Sequence, residues 1–177
     1  LSKNGYNVKW VKGENVTVEF FKEVELTQEL IILRTHSGFF ENSTWLFTGE
    51  EYSNKKYLLE QITGEINIGK CPSYDYYVFT ISPFFIKQQV IIKKDSTIII
   101  MGCNGMDNDL LAKVFTNKGC SKVIGWSGAV SMEETDKTTL QIVNTIVSGE
   151  NINDLVEEVN YGKDKDLKLV MIERSGG

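Results

Sequence analysis

The stretch at residues 97–126, TIIIMGCNGMDNDLLAKVFTNKGCSKVIGW, decides the fold. Residues 97–101 (TIIIM) are short, apolar on both sides and β-branched, as a strand buried on both faces requires. Residues 108–118 carry apolar side chains at helical spacing. Leu110, Leu111, Val114 and Phe115 face inward in this reading, and Gly119 ends the helix. Residues 122–126 (KVIGW) form a second strand. A strand, a crossover helix and a strand together make a parallel pair.

The same alternation extends outward. Residues 30–35 (LIILRT) read as another buried strand, and residues 6–11 as a short strand before it. Residues 16–24 read as a helix with Val16, Phe20 and Val24 on one face. Residues 37–96 form an irregular insertion. It holds an aromatic cluster (Tyr74, Tyr76, Tyr77, Phe79), a Ser82-Pro83 break, a hairpin and a short helix near residues 54–62. Downstream, Ser131 and Glu134 make a capping box that opens a helix to Ser148, with Leu140, Val143 and Val147 buried and Gly149 as stop. A short helix at residues 153–160 and a last strand at residues 167–172 complete a single α/β domain with a mostly parallel sheet covered on both faces.

Bulk properties narrow the function. The chain has 177 residues, 41% hydrophobic and 24% charged, with a formal net charge of −5. That length supports one domain with a real core. The acidic balance argues against nucleic acid as a partner, because phosphate binding needs a basic footprint. No apolar run approaches the about 18 residues needed to span a membrane. Cys71, Cys103 and Cys120 are too few and too widely spaced for a disulfide framework. One histidine and no CxxC pair leave no zinc site, and no cofactor motif is present. The sequons at Asn15 and Asn42 occur about as often as chance provides, so they assign no compartment.

Two strand ends carry the chemistry. In open parallel sheets, function gathers where strands end at their carboxyl side. Arg34-Thr35-His36-Ser37-Gly38 places the only histidine where one strand becomes a loop. Met101-Gly102-Cys103-Asn104-Gly105 places a cysteine between glycines where the next strand ends. A thiol becomes a strong nucleophile when deprotonated, and a nearby imidazole assists that step. Backbone N–H groups of Cys103 and of Ser37 or Gly38 are candidates for an oxyanion hole, with each donor contributing about 2.7–4 kcal/mol in comparable enzymes. A buried cysteine alone is commonly an inert small hydrophobe. The joint placement of the two residues carries the argument.

His-small-Gly after one buried strand, followed by Gly-Cys-x-Gly after the next, is similar to the caspase-like (clan CD) superfamily of cysteine peptidases. That group includes caspases, metacaspases, legumains, gingipains, separases and CHAT domains. The segment after the cysteine, with LLAKVF at residues 110–115, Lys118-Gly119-Cys120 and Val123-Ile124-Gly125-Trp126, looks most like CHAT and separase members and uncharacterised archaeal ones. The resemblance covers most of residues 30–160 apart from the insertion. It implies a three-layer α/β/α sandwich and a cysteine endopeptidase acting on polypeptides through an acyl-enzyme. Cys103 would be the nucleophile and His36 the acid/base, with no fixed third member.

The resemblance also places Arg34 and Met101 in the primary specificity pocket, each two residues before its catalytic neighbour and so pointing the same way. Trp126 and Ser127 resemble a pocket wall and a substrate-backbone contact, and Met132 falls where separases carry an acid. Caspases have glutamine and legumains glutamate at the place of Met101, so specificity does not transfer directly. Arg34 favours an acidic substrate residue, whereas Glu133, Glu134 and Asp136 favour a basic one, and the balance leans to basic. The same acids also suit a helix N-terminus. The short spacing from Cys103 to the next helix argues against activation by cleavage there. The superfamily sheet has a further strand between those matching residues 6–11 and 30–35, so an upstream strand and helix are expected to complete it.

Other readings compete. A glutamine amidotransferase-like hydrolase also places a cysteine after a strand, but its histidine follows the cysteine. A flavodoxin-like nucleotide binder needs a phosphate loop, which is absent. A catalytically silent caspase-like binding or regulatory module shares every feature except turnover.

Overall fold

A computed structural model describes residues 5–23, 26, 28–71, 74–163 and 166–175. The strands are β1 (Leu30–Leu33), β2 (Ser37–Phe40), β3 (Ser43–Glu51), β4 (Ile66–Lys70), β5 (Tyr77–Ile81), β6 (Thr97–Ile100), β7 (Lys122–Trp126) and β8 (Leu169–Glu173). The helices are α1 (Val18–Glu23), α2 (Leu58–Ile62), α3 (Pro83–Gln89), α4 (Leu110–Asn117), α5 (Met132–Ser148) and α6 (Ile152–Asn160). The strands form two four-stranded sheets, ordered β1-β6-β7-β8 and β2-β3-β5-β4.

The first sheet is mostly parallel. β1, β6 and β7 run together, with Leu33 opposite Ile100 and Ile100 opposite Gly125. β8 lies antiparallel to β7. The two-residue period of β6 divides the core. Ile98 and Ile100 join one apolar cluster with Val123, and with Leu111 and Phe115 of α4. Ile99 and Met101 join the opposite cluster with Ile124 and Trp126, and with Ile142 of α5 and Leu155 of α6. Each face of this sheet is therefore closed by an apolar layer, and the edge that carries the candidate site residues is where β1 and β6 end. Ile32, expected to be buried, is 37% exposed because β1 is the outer strand of the sheet.

The stretch from residue 37 to residue 96 is not irregular. It holds the whole second sheet, all antiparallel, together with α2 and α3. The β2–β3 hairpin and the short helix within residues 54–62 are present. β3 hides its strand period because it is buried at nearly every position and its register with β5 shifts between Phe47 and Glu51. A β-carbon on Gly49 would lie 1.9 Å from the Gly13 carbonyl oxygen, so the N-terminal segment crosses β3 in direct contact. The Ser82-Pro83 break is a helix start. The Ser82 hydroxyl accepts from the Phe85 N–H at 3.1 Å and Pro83 occupies the first turn of α3.

Other expectations shift. Residues 6–11 form no strand, and Trp10 is 74% exposed. The early helix is only α1, with Val18 and Phe21 buried, and Val24 lies outside the described residues. α1 starts at Val18 because the Thr17 hydroxyl accepts from Phe20 N–H at 2.9 Å and the buried Glu50 carboxylate accepts from Val18 N–H at 3.0 Å. In α4, Leu110 faces outward. In α5, Leu140 is exposed, and the buried face is built largely from Thr135, Thr138, Thr139 and Thr145 around Ile142 and Val143. Threonine reads as polar in a periodicity count, yet its methyl packs well once its hydroxyl is bonded. Among the described residues, no helix is long and apolar enough to cross a membrane.

Candidate active site

The parallel ladder between β1 and β6 continues one step past the last paired strand residues, where Met101 N–H donates to Leu33 C=O at 3.0 Å. The loops carrying His36 and Cys103 therefore leave adjacent strands in the same direction. Gly102 locks them together. A β-carbon there would lie 2.1 Å from Ser37 Oγ and 2.6 Å from the Thr35 carbonyl oxygen, so only glycine fits. The Ser37 hydroxyl donates to the Cys103 carbonyl.

The loop after Cys103 is held from two sides. Asn104 N–H donates to Gly128 C=O at 2.8 Å and Met106 N–H to Trp126 C=O at 2.9 Å, both at the end of β7. From β3, the Thr44 hydroxyl donates to Asn104 C=O at 2.7 Å. Asn104 is left-handed (φ 56°), which asparagine accepts more readily than most residues. The Cys103 thiol is partly buried and donates to Val130 C=O at 3.5 Å. Val130 lies just ahead of Ser131, which caps α5 by accepting from Glu134 N–H at 3.1 Å. The α5 first turn is tied to the same edge, since the Thr135 hydroxyl donates to Met101 C=O at 3.1 Å. The positive end of the α5 dipole thus points to the sheet edge that carries the thiol.

His36 is exposed where the two sheets join. Its carbonyl accepts from Phe47 N–H at 2.9 Å, and its ring lies edge-on to Phe47 with centroids 6.5 Å apart. That backbone bond sets the phase of the β2–β3 ladder. Antiparallel pairs alternate between bonded and non-bonded positions. With Ser37 opposite Leu46 and Gly38 opposite Trp45, Gly38 N–H turns into the ladder. Ser37 N–H turns to the open edge, on the side of Gly102.

The expected pocket residues divide. Arg34 is paired bidentately with Asp136 of α5, at 3.0 Å from both Nε and Nη2. This hydrogen bond raises the Arg34 pKa and holds the Asp136 carboxyl below its ordinary range. Met101 is buried against α5, whereas Met132 and Glu133 are exposed at the start of that helix. Glu134 is paired with Lys163. Trp126 is core, 2% exposed, with the Lys163 ammonium 5.5 Å from its ring. Ser127 is occupied by its neighbour: its N–H donates to Lys168 C=O at 2.9 Å and its hydroxyl accepts from Lys168 N–H at 3.0 Å.

Sequence reading missed Thr44, Val130 and Thr135. Asn104-Gly105 carried a turn signal, but nothing in the sequence marked Thr44 as its partner. Among the described residues, no group of three or more His, Cys, Asp or Glu side chains is placed to hold a metal. Comparison of the chain with protein-family models gives no match, and neither does comparison with curated protein sequences.

Proposed function

We propose that this chain is a cysteine endopeptidase of the caspase-like type, its first sheet and flanking helices forming the sandwich of that superfamily. The observation that carries the reading is the convergence of the only histidine and a partly buried thiol at the ends of adjacent parallel strands, joined by the Gly102–Ser37 contact. In this reading, His36 takes the Cys103 proton as sulfur attacks a peptide carbonyl carbon. The C–N bond then breaks and His36 passes that proton to the leaving amine. Water, deprotonated by His36, hydrolyses the thioester and restores the thiol. Backbone N–H groups of Cys103 and Ser37 stabilise the oxyanion, since Gly38 N–H belongs to the ladder.

Arg34 is neutralised by Asp136 and Glu134 is paired with Lys163, while among the described residues Glu133 carries no ion pair. This supports a basic substrate side chain beside the scissile bond. One observation favours the second reading, a silent binding module: the thiol donates to Val130 C=O, as a structural cysteine does. A peptide library varied around the scissile bond, followed by mass spectrometry, separates the two. The peptidase reading expects cuts after Lys or Arg that fall about a thousandfold or more in Cys103→Ala and in His36→Ala. Tight peptide binding without turnover in the wild type would establish the module instead.

A further inference from the structure

We infer that the open edge of β2 is the docking strand for the substrate backbone, so that the peptide is held as a fifth strand of the second sheet; this rests on the peptidase reading. β2 is the outer strand of that sheet and begins one residue after His36. The phase set by the Phe47–His36 bond turns Gly38 and Phe40 toward β3. It therefore turns the N–H and C=O groups of Ser37 and Phe39 outward. Proteins usually blunt such an edge with proline, lysine or a bulge. β2 reads Ser-Gly-Phe-Phe, with no charge, no proline and no register shift, and both phenylalanines are about half exposed.

The position of this edge supplies the reason to leave it open. Ser37 is already joined to the Cys103 carbonyl through its hydroxyl. A peptide whose scissile carbonyl sits at Ser37 N–H continues, one dipeptide further on, to the N–H and C=O of Phe39. The geometry is strand addition, in which main-chain bonds supply affinity and alternate side chains meet alternate surfaces. One set of substrate side chains lies over Phe39, on the face shared with Thr44. The other lies over Phe40, whose ring packs edge-on to Trp45 at 6.1 Å. The substrate class is therefore an extended, unfolded segment with apolar side chains on one side of the cut, meeting Phe39 on one face and Phe40 on the other.

The test uses the best-cut library sequence in two forms. One is an internally quenched peptide extending four residues to each side of the bond. The other is a truncated fluorogenic amide with nothing beyond it. Phe39→Pro removes one outward N–H without touching the β2–β3 ladder, and Phe39→Ala removes the ring while keeping that N–H. The ratio of kcat/KM for the extended over the truncated form is expected to fall about tenfold in Phe39→Pro, mainly through KM, and much less in Phe39→Ala. A ratio unchanged in a folded Phe39→Pro protein overturns the inference. N-methylation of single peptide amides gives a second readout without mutating the enzyme. Losses at alternate positions support strand addition, and uniform or absent losses overturn it. If the wild type cuts neither form, the peptidase reading itself fails and takes this subsite with it.

Discussion

Gly102 lies so close to Ser37 that a β-carbon would stand 2.1 Å from the serine hydroxyl oxygen. A rotating hydroxyl could yield, but the Thr35 carbonyl at 2.6 Å is backbone and cannot move cheaply. Gly102→Ala is therefore expected to destabilise the fold by about 1–3 kcal/mol. It is also expected to slow reaction of Cys103 with a peptidyl electrophile by more than that stability loss explains. Urea unfolding and labelling kinetics on the same preparation check both. Wild-type kinetics in the variant would show that the Gly102–Ser37 contact does not position the thiol.

The three thiols differ in access. Cys71 and Cys120 are buried, and burial is the largest cause pushing the Cys120 thiol up. Cys120 also donates to Lys122 C=O at 3.0 Å. Native protein treated with iodoacetamide is expected to take one label, at Cys103, and unfolded protein three. Intact mass followed by peptide mapping reads the result, and native labelling at Cys120 would contradict the packing of α4 against the sheet.

Freeing Arg34 should change selectivity while leaving stability nearly intact. The Arg34–Asp136 pair is about half exposed, and such pairs contribute little to folding. Asp136→Asn removes the carboxylate that occupies the guanidinium. Among library peptides, the preference for acidic over basic side chains beside the cut is expected to rise about tenfold. An unaltered preference, with turnover retained, would place Arg34 outside the pocket.

Alkaline stability offers a test remote from the site. The Tyr57 phenol bonds both carboxylate oxygens of the buried Glu50, at 3.2 and 3.1 Å. Burial, and then the Glu50 charge, push its pKa up to about 12 from 10.0. The folded state thus holds the phenolic proton more tightly than the unfolded chain. Its contribution is fully present below pH 10 and is lost as pH rises toward about 12. Tyr57→Phe should fall less steeply than the wild type over that window, while the two curves run parallel below it. Urea midpoints measured from pH 8 to 12 check this, and parallel curves throughout would refute it.

What could be read from sequence follows from what each residue type reports. Ile98 to Met101 and Val123 to Trp126 alternate between two apolar layers, so their strands were visible as hydrophobic runs, and the intervening helix was visible from its apolar spacing. His36 and Cys103 were visible because strand ends and glycines mark them. The second sheet was not, because β3 mixes Thr, Trp, Gly and Glu and is buried on both sides at a register shift. On the buried face of α5, Val143 was legible, but the four threonines that make up most of it were not, because threonine reads as polar. Arg34 and Asp136 were each noticed, but the bidentate bond that cancels their opposite signals is a tertiary contact.

The second sheet lies wholly between His36 and Cys103 in chain order. The two residues meet only when β6 returns to pair with β1, closing a loop that must itself contain folded structure, and such long closures come late and slowly. A ribosome-bound chain that has emerged only as far as β5 carries the imidazole without its thiol. On the peptidase reading proposed above, the chain therefore cannot cut its neighbours, or itself, before the second sheet and β6 have formed.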